Sequence, residues 1–336
     1  MKDKEKFIPD AELKLMDQVR EVLQHYQYSY STEKIYCRWI IQYIKFFNSQ
    51  KYSSDMKGRE IEIFLNHLSF DKKASIATQK QAMNALFFLY QKVLDKKVPE
   101  KPRLIKLKRT KPLPQVLSKA ELFKLFSKMR GNHLLMAKLL YGSGLRLMEC
   151  IRLRIQDIDF SNDKIHIRST RNRKERSVML PGSIKDEMII HKEKTREIHK
   201  KDLKKGYGSI DLPGTIPVKL DILVKSFGYQ YLFGAKKTSK DPRSGKIRRY
   251  HVIESGLQKA VKRAGERAGI QTAVTCQVLR NCFATHMLEN GESIKTVQKL
   301  MGHANLKMTK IYLKVMENAP PAIKSPLDSL EEICKE

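Results

Sequence analysis

At 336 residues, 41% of them hydrophobic, the chain is too long for one small core and can bury two. Lysine and arginine total 66 against 36 acidic residues, and a net charge of +30 repels itself unless a polyanion neutralises it; nucleic acid is therefore favoured over a membrane surface or a merely soluble basic chain. Neither a membrane span nor a secreted disulfide framework is expected, since no run of about 18 apolar residues occurs, the charged MKDKEKFIPDAELK start lacks a signal core, and five cysteines without paired spacing suit a reducing cytoplasm.

Pro9-Asp10 opens a helical run reaching about Gln24. Ser31 is placed to cap the next helix, with Glu33 in its first turn and Ile35, Trp39, Ile40, Tyr43, Ile44 and Phe47 at helical spacing behind it. Gly58 precedes a third run, with Ile61, Phe64, Leu65 and Leu68 on one face. Ser75 precedes a fourth, carrying Ala82, Leu86, Leu89, Tyr90 and Val93. Residues 1–96 thus form an all-α bundle whose aromatics line its core. Pro99, Pro102, Pro112 and Pro114 then make residues 97–116 an extended linker. Within it 101–111 holds six basic residues and no acid, and Lys106, Lys108 and Arg109 are expected to lie along phosphates.

The second domain, 117–320, opens on a capping box, Ser118 to Glu121. Helices are expected near 119–130 and 133–141 and from about 147. The stretch QDIDFSNDKIHIRSTRNRKERSVML alternates, with turns at Asn162-Asp163 and Arg171-Asn172, and reads as a three-stranded meander. A helix follows over about 184–204, and helices dominate again after 253. Between them 205–250 is rich in glycine, proline and aromatics, and its 236–249 part carries seven basic residues against Asp241. Residues 321–336 form a tail. The fold class is an all-α domain followed by a mainly helical domain with one small antiparallel sheet. Cys276, Cys282, His286 and His303 lack the paired spacing of a zinc site and read as buried structural residues, so no metal is expected.

Cutting a phosphodiester without metal or water needs a nucleophile, cations on the non-bridging oxygens and an acid for the leaving oxygen. Arg146 lies in YGSGLRLMEC, at the start of a helix, and Arg280 in QVLRNCFATH, near the start of another. Two guanidiniums match phosphate geometry with paired donors. His303 follows Gly302 in LMGHANL, and Tyr312 comes nine residues later. Any one of these is most simply a surface arginine or a packed tyrosine. The ordered set is what points to chemistry.

That set resembles the tyrosine recombinase family over nearly the whole chain, through LLYGSGLRLMECIRLR, VTCQVLRNCFATHMLENG and VQKLMGHANLKMTKIY. RLMEC, the added stretch 205–250, DPRSGKIRRYHVIES and SPLD resemble its integron integrase branch. The resemblance implies a SAM-like core-binding domain at 1–96 and the DNA breaking-rejoining fold at 117–320. It also implies a 3′-phosphotyrosine made by Tyr312, a phosphorane held by Arg146 and Arg280, and a hydrogen bond from His303. No cofactor is implied. The expected partners are a double-stranded attI-like site and a folded single-stranded attC-like site in the bacterial cytoplasm, joined by a homotetramer. Tyr207, Phe227, Tyr229 and Tyr231 would stack on bases, while Arg173, Lys174, Arg248 and Arg249 would touch DNA.

Two positions depart from the family at the chemistry itself. Arg171 stands where it has a lysine acid, and Gln277 where it has a histidine. Arginine does not release its proton at working pH, and an amide carries none, although Lys174 could reach the leaving oxygen if the turn reorganised. Asn281 replaces a further histidine, Leu313-Lys314-Val315 follows the tyrosine in place of Thr-His-Val, and Pro217 falls where the branch forms a short helix. A catalytically weakened protein that occupies recombination sites is the competing reading, and a general basic coat the third. Replacing Lys106, Lys108 and Arg109 by alanine should flatten the salt dependence of DNA affinity by up to about three counterions; an unchanged slope in a salt titration places the phosphate contacts elsewhere.

Overall fold

Before the first helix the chain turns. The Asp10 carboxylate accepts the Glu12 amide, Lys14 is extended, and α1 spans only Leu15–His25. The start expected at Pro9-Asp10 is too early, because a carboxylate bonded two residues on favours a turn over a helix. Helix α2, Tyr30–Phe46, is capped by Ser29, whose hydroxyl accepts the Thr32 amide; Ser31, the expected cap, lies inside the first turn. Helix α3 is Gly58–Phe70. Helix α4, Ile76–Phe88, is capped by Ser75 as expected and widens into one π-type turn at Leu89–Val93. This is a computed structural model, and it describes residues 7–47, 58–96, 102, 104–105, 113–168, 175–210 and 221–313.

The chain divides into two compact units, Met1–Lys111 and Pro112–Glu336. The first is cored by Val22 and Leu23 of α1, Ile40 and Tyr43 of α2, Phe64 and Leu65 of α3, and Leu86 and Tyr90 beyond. Tyr43 and Tyr90 share a buried hydroxyl–hydroxyl bond of 3.0 Å. Leu104 packs on this core, and Ile105 exchanges backbone hydrogen bonds with the Gln79 amide at 3.1 and 3.2 Å.

The second unit opens with α5, Lys119–Ser127, behind the expected Ser118–Glu121 capping box. Helices α6 (Gly131–Gly142) and α7 (Leu147–Ile151) follow. Strands β1 (Ile158–Asp159), β2 (Lys164–Ile167) and β3 (Arg176–Met179) form the antiparallel meander, with Ile165 opposite both Ile158 and Val178. Next come α8 (Lys185–Lys204) and α9 (Asp221–Lys225). A second sheet, β4 (Ser239–Lys240) with β5 (Ile247–Arg248), corrects the expectation of one. Asp241 holds that hairpin by accepting the Arg243 and Ser244 amides at 2.8 and 2.7 Å. Strands of two residues are too short to alternate visibly.

Helices α10 (Glu254–Arg267), α11 (Cys276–Glu289), α12 (Ile294–Met301) and α13 (Lys307–Leu313) complete the unit. Helix α11 is buried on nearly every face, as a helix running through a core must be. The four cysteines among the described residues are all buried.

The added stretch is fastened to α8. The Asp202 carboxylate takes two bonds from Arg249, at 2.5 and 2.8 Å. His191 and His199 each donate Nε2–H to a carbonyl, of Leu232 and Lys225, at 3.0 Å. The turn ahead of α7 is equally constrained. Gly144 has φ +61, and a β-carbon there would sit 2.4 Å from the Phe283 ring of α11. Gly144→Ala should therefore cost about 2–4 kcal/mol, read as a lower urea midpoint at unchanged slope; a loss below about 0.5 kcal/mol shows that Phe283 can move aside.

Candidate active site

Arg146 stands at the N-terminal boundary of α7 and aims its guanidinium back across the unit. It donates to Glu149 Oε1 at 2.9 Å and to the Gly302 carbonyl at 2.9 Å. Glu149, one turn into α7, accepts the Arg146 backbone amide at 2.8 Å and two bonds from Arg176 of β3, at 3.0 and 2.7 Å. Arg176 also donates to the Leu300 carbonyl at 2.8 Å. Arg280, on the buried helix α11, is 3% exposed; it donates to the Gly144 and Met301 carbonyls and lies 3.9 Å from Glu149. Three guanidiniums thus surround one carboxylate. Burial alone would raise the Glu149 carboxyl, but the Arg176 hydrogen bonds and charge, then Arg146, outweigh it and hold the group at about 2. Burial and the Arg146 charge disfavour the Arg280 cation, and Glu149 offsets part of that.

The end of α12 closes the pocket. Gly302 adopts the left-handed conformation, φ 58, and a β-carbon there would press the Arg176 guanidinium at 3.0 Å. His303 follows directly, with Nδ1 2.9 Å from Thr309 Oγ1. Burial and then the cations Arg280 and Arg146 push its imidazole down to about 4, so it is neutral at pH 7. Its ring stacks on Tyr312, centroids 6.2 Å apart and 11° from parallel. Tyr312, on α13, is 5% exposed and donates its hydroxyl to Asn281 Oδ1 at 3.2 Å. Burial raises its phenol, while Arg280 and Arg146 pull the other way. Gln277 Nε2 donates to the same Asn281 oxygen at 3.0 Å.

Arg146, Gln277, Arg280, His303 and Tyr312 are therefore brought together from three separated segments. Arg171, Arg173 and Lys174 lie outside the described residues, as do Lys106, Lys108, Arg109 and Pro217. The aromatics of the added stretch are half-buried. Phe227 lies under Arg196 at 4.3 Å, Tyr229 under Arg168 at 5.8 Å and Tyr231 under Arg154 at 4.9 Å. Tyr207 follows α8, its backbone amide on the Asp202 carbonyl at 2.8 Å. Arg248 is buried, and Arg249 donates to Asp202 and to the Ala235 and Lys236 carbonyls. A run of basic residues does not reveal that an acid on another helix claims one of them.

Glu149, Arg176 and Asn281 are the residues that sequence reasoning left without a role. Two of them had a signal. Arg176 shares a strand face with the buried Val178, and an arginine facing inward requires a buried acid. Glu149, three residues after the boundary arginine of a short helix, is where a capping carboxylate sits. Among the described residues no cluster of three His, Cys, Asp or Glu side chains could hold a metal.

Glu149 carries a sign for acid stability. With a folded value near 2 against an ordinary 4.5, its contribution is fully present above about pH 4.5 and is lost as pH falls toward 2. Arg176→Met should cost about 3 kcal/mol at neutral pH, since it leaves a buried carboxylate short of its main partner, and should flatten the acid loss. A variant that unfolds with the native pH dependence shows that other carboxylates govern it.

Residues 115–319 match the phage integrase family and residues 15–100 its N-terminal SAM-like domain. An integrase/recombinase of Escherichia coli is 34% identical over 328 residues, spanning 98% of this chain and 97% of that protein. Tyrosine recombinase XerC of Halalkalibacterium halodurans is 30% identical, over 74% of this chain and 75% of its own. Among solved structures, the pre-cleavage complex of XerH bound to difH substrate aligns with a TM-score of 0.53 at 20% identity, over 91% of this chain and 88% of that one. The lambda integrase dimer bound to a COC′ core site aligns at 0.54 and 15% identity, over 92% and 98%. These two share the fold. With a helical SAM-like unit ahead of a helical unit that gathers two arginines, a histidine and a tyrosine, the chain belongs to the phage integrase family of tyrosine recombinases, which break and rejoin DNA.

Proposed function

We propose that this chain is a site-specific recombinase of the integron integrase type, which inserts or excises gene cassettes between attI-like and attC-like sites. The observation that carries the chemistry is the Tyr312 ring stacked on His303 in the same part-buried cluster as Arg146 and Arg280. Tyr312 Oη attacks the scissile phosphorus, the P–O5′ bond breaks, and a 3′-phosphotyrosine forms. Arg146 and Arg280 neutralise the charge that grows on the non-bridging oxygens, with their forks already oriented by backbone carbonyls. His303, neutral at working pH, donates to one of those oxygens. A 5′-hydroxyl from the partner strand then attacks the phosphotyrosine and reverses the exchange.

Proton transfer is the weak part. Arg171 keeps a charge at the acid position without releasing a proton, and Gln277 keeps only a donor. Lys106, Lys108 and Arg109 supply contacts to phosphate. Phe227, Tyr229 and Tyr231, each faced by a guanidinium, are suited to hold unpaired bases of a folded single strand. Two sites joined by a tetramer in the cytoplasm complete the reading. Among the described residues no helix is long and apolar enough to cross a membrane.

A nicked attC-like suicide substrate tests this. The unaltered protein should be trapped on it covalently, and Tyr312→Phe should not. Arg171→Lys with Gln277→His should speed cleavage by about 10²–10⁴-fold at nearly unchanged DNA affinity. A 5′-phosphorothiolate leaving group needs no proton, so the unaltered protein should cut such DNA faster than ordinary DNA. Equal rates for the unaltered protein and the double variant would make Lys174 the acid. No covalent product on either substrate would leave a protein that only occupies recombination sites.

A further inference from the structure

Asn281 follows Arg280 on α11 and is 7% exposed. Its amide has three partners: Nδ2 donates to the Gln115 carbonyl at 3.2 Å, and Oδ1 accepts from Gln277 Nε2 at 3.0 Å and from the Tyr312 hydroxyl at 3.2 Å. A backbone carbonyl can only accept, so Gln115 fixes the nitrogen end of the amide toward itself. The oxygen end must then face Gln277 and Tyr312. Turning the amide over would set its oxygen against the Gln115 carbonyl and its nitrogen against the Gln277 NH2, losing both of those bonds.

The rest of Tyr312 is buried among apolar groups. It packs in a small cluster with Phe283, Met287, Val297 and Met301, and its hydroxyl is the polar end of that burial. An unpaired hydroxyl there would be costly, so the Asn281 oxygen decides where the reacting atom rests. Gln277 and Asn281, which look like two separate losses of histidine in the sequence, touch each other: Gln277 donates to the Asn281 oxygen that also accepts the Tyr312 hydroxyl.

We propose that Asn281 is a positioning residue for the nucleophile, seating the Tyr312 hydroxyl beside Arg146 and Arg280 through a hydrogen bond that does not titrate. This rests on reading Tyr312 as the nucleophile. The charged and titratable groups around the ring are His303, between α12 and α13, Arg280 on α11 and Arg146 ahead of α7. His303 is held neutral at pH 7, and Arg280, though pushed down to about 9 by burial, is still a cation there. Histidines at 277 and 281 would bring titratable groups against the phenol; the two amides hold the seat without one.

The test uses the full chain, with peptide-resolved tyrosine nitration in the absence of DNA and covalent trapping on nicked DNA. Asn281→Leu removes the acceptor. Nitration of Tyr312 should rise about tenfold while the buried Tyr43 and Tyr141 stay protected, and trapping should slow about tenfold at unchanged DNA affinity. Asn281→Asp keeps an oxygen toward both donors and should hold Tyr312 near native protection, which carries the test if the leucine variant fails to fold. Unchanged Tyr312 nitration in Asn281→Leu, or lost protection in a folded Asn281→Asp, overturns the proposal. Covalent products that persist in Tyr312→Phe would instead remove the nucleophile reading on which it stands.

Discussion

A single largely shielded carboxylate, that of Glu149, makes the cation cluster of the second unit possible. Arg146, Arg176 and Arg280 bring three positive charges into a region where Arg176 and Arg280 are almost fully shielded from water. Without compensation their mutual repulsion in a low-dielectric interior would exceed what the fold can absorb. Glu149 supplies one full negative charge at the centre, and four carbonyls supply the remaining acceptor sites. The result is a net cationic site whose donors are aimed before any anion arrives. That is the condition under which guanidiniums stabilise a charge that appears only in a transition state.

The helical skeleton was legible because its signals are local. Ser75 and the Ser118–Glu121 pair cap the helices they were expected to cap, and the apolar spacings of the bundle became its core. The misses were also local, each a competition between nearby alternatives. Asp10 bonded its own backbone and delayed α1, and Ser29 displaced Ser31 by offering the better-placed hydroxyl. The second sheet escaped notice because its strands are shorter than one alternation.

At the site, legibility stopped where partners are distant. The order of Arg146, Arg280, His303 and Tyr312 could be read along the chain. That Arg176 pairs with Glu149, or Arg249 with Asp202, could not, since those partners are separated by 27 and 47 positions. Charge type says that a residue needs a partner. It does not say whether that partner comes from the same protein.

The arginines take hold of main-chain oxygens, those of Gly144, Leu300, Met301 and Gly302. Every amino acid offers the same carbonyl, so the frame of the site is largely indifferent to which side chains occupy those segments. Exceptions are the two glycines, whose left-handed backbones face Phe283 and Arg176 at close range. Groups that handle protons, such as those at 277 and 281, can be exchanged while the anion-holding frame stays in place. A protein built this way can lose or regain catalytic speed through a few side chains without rebuilding its architecture.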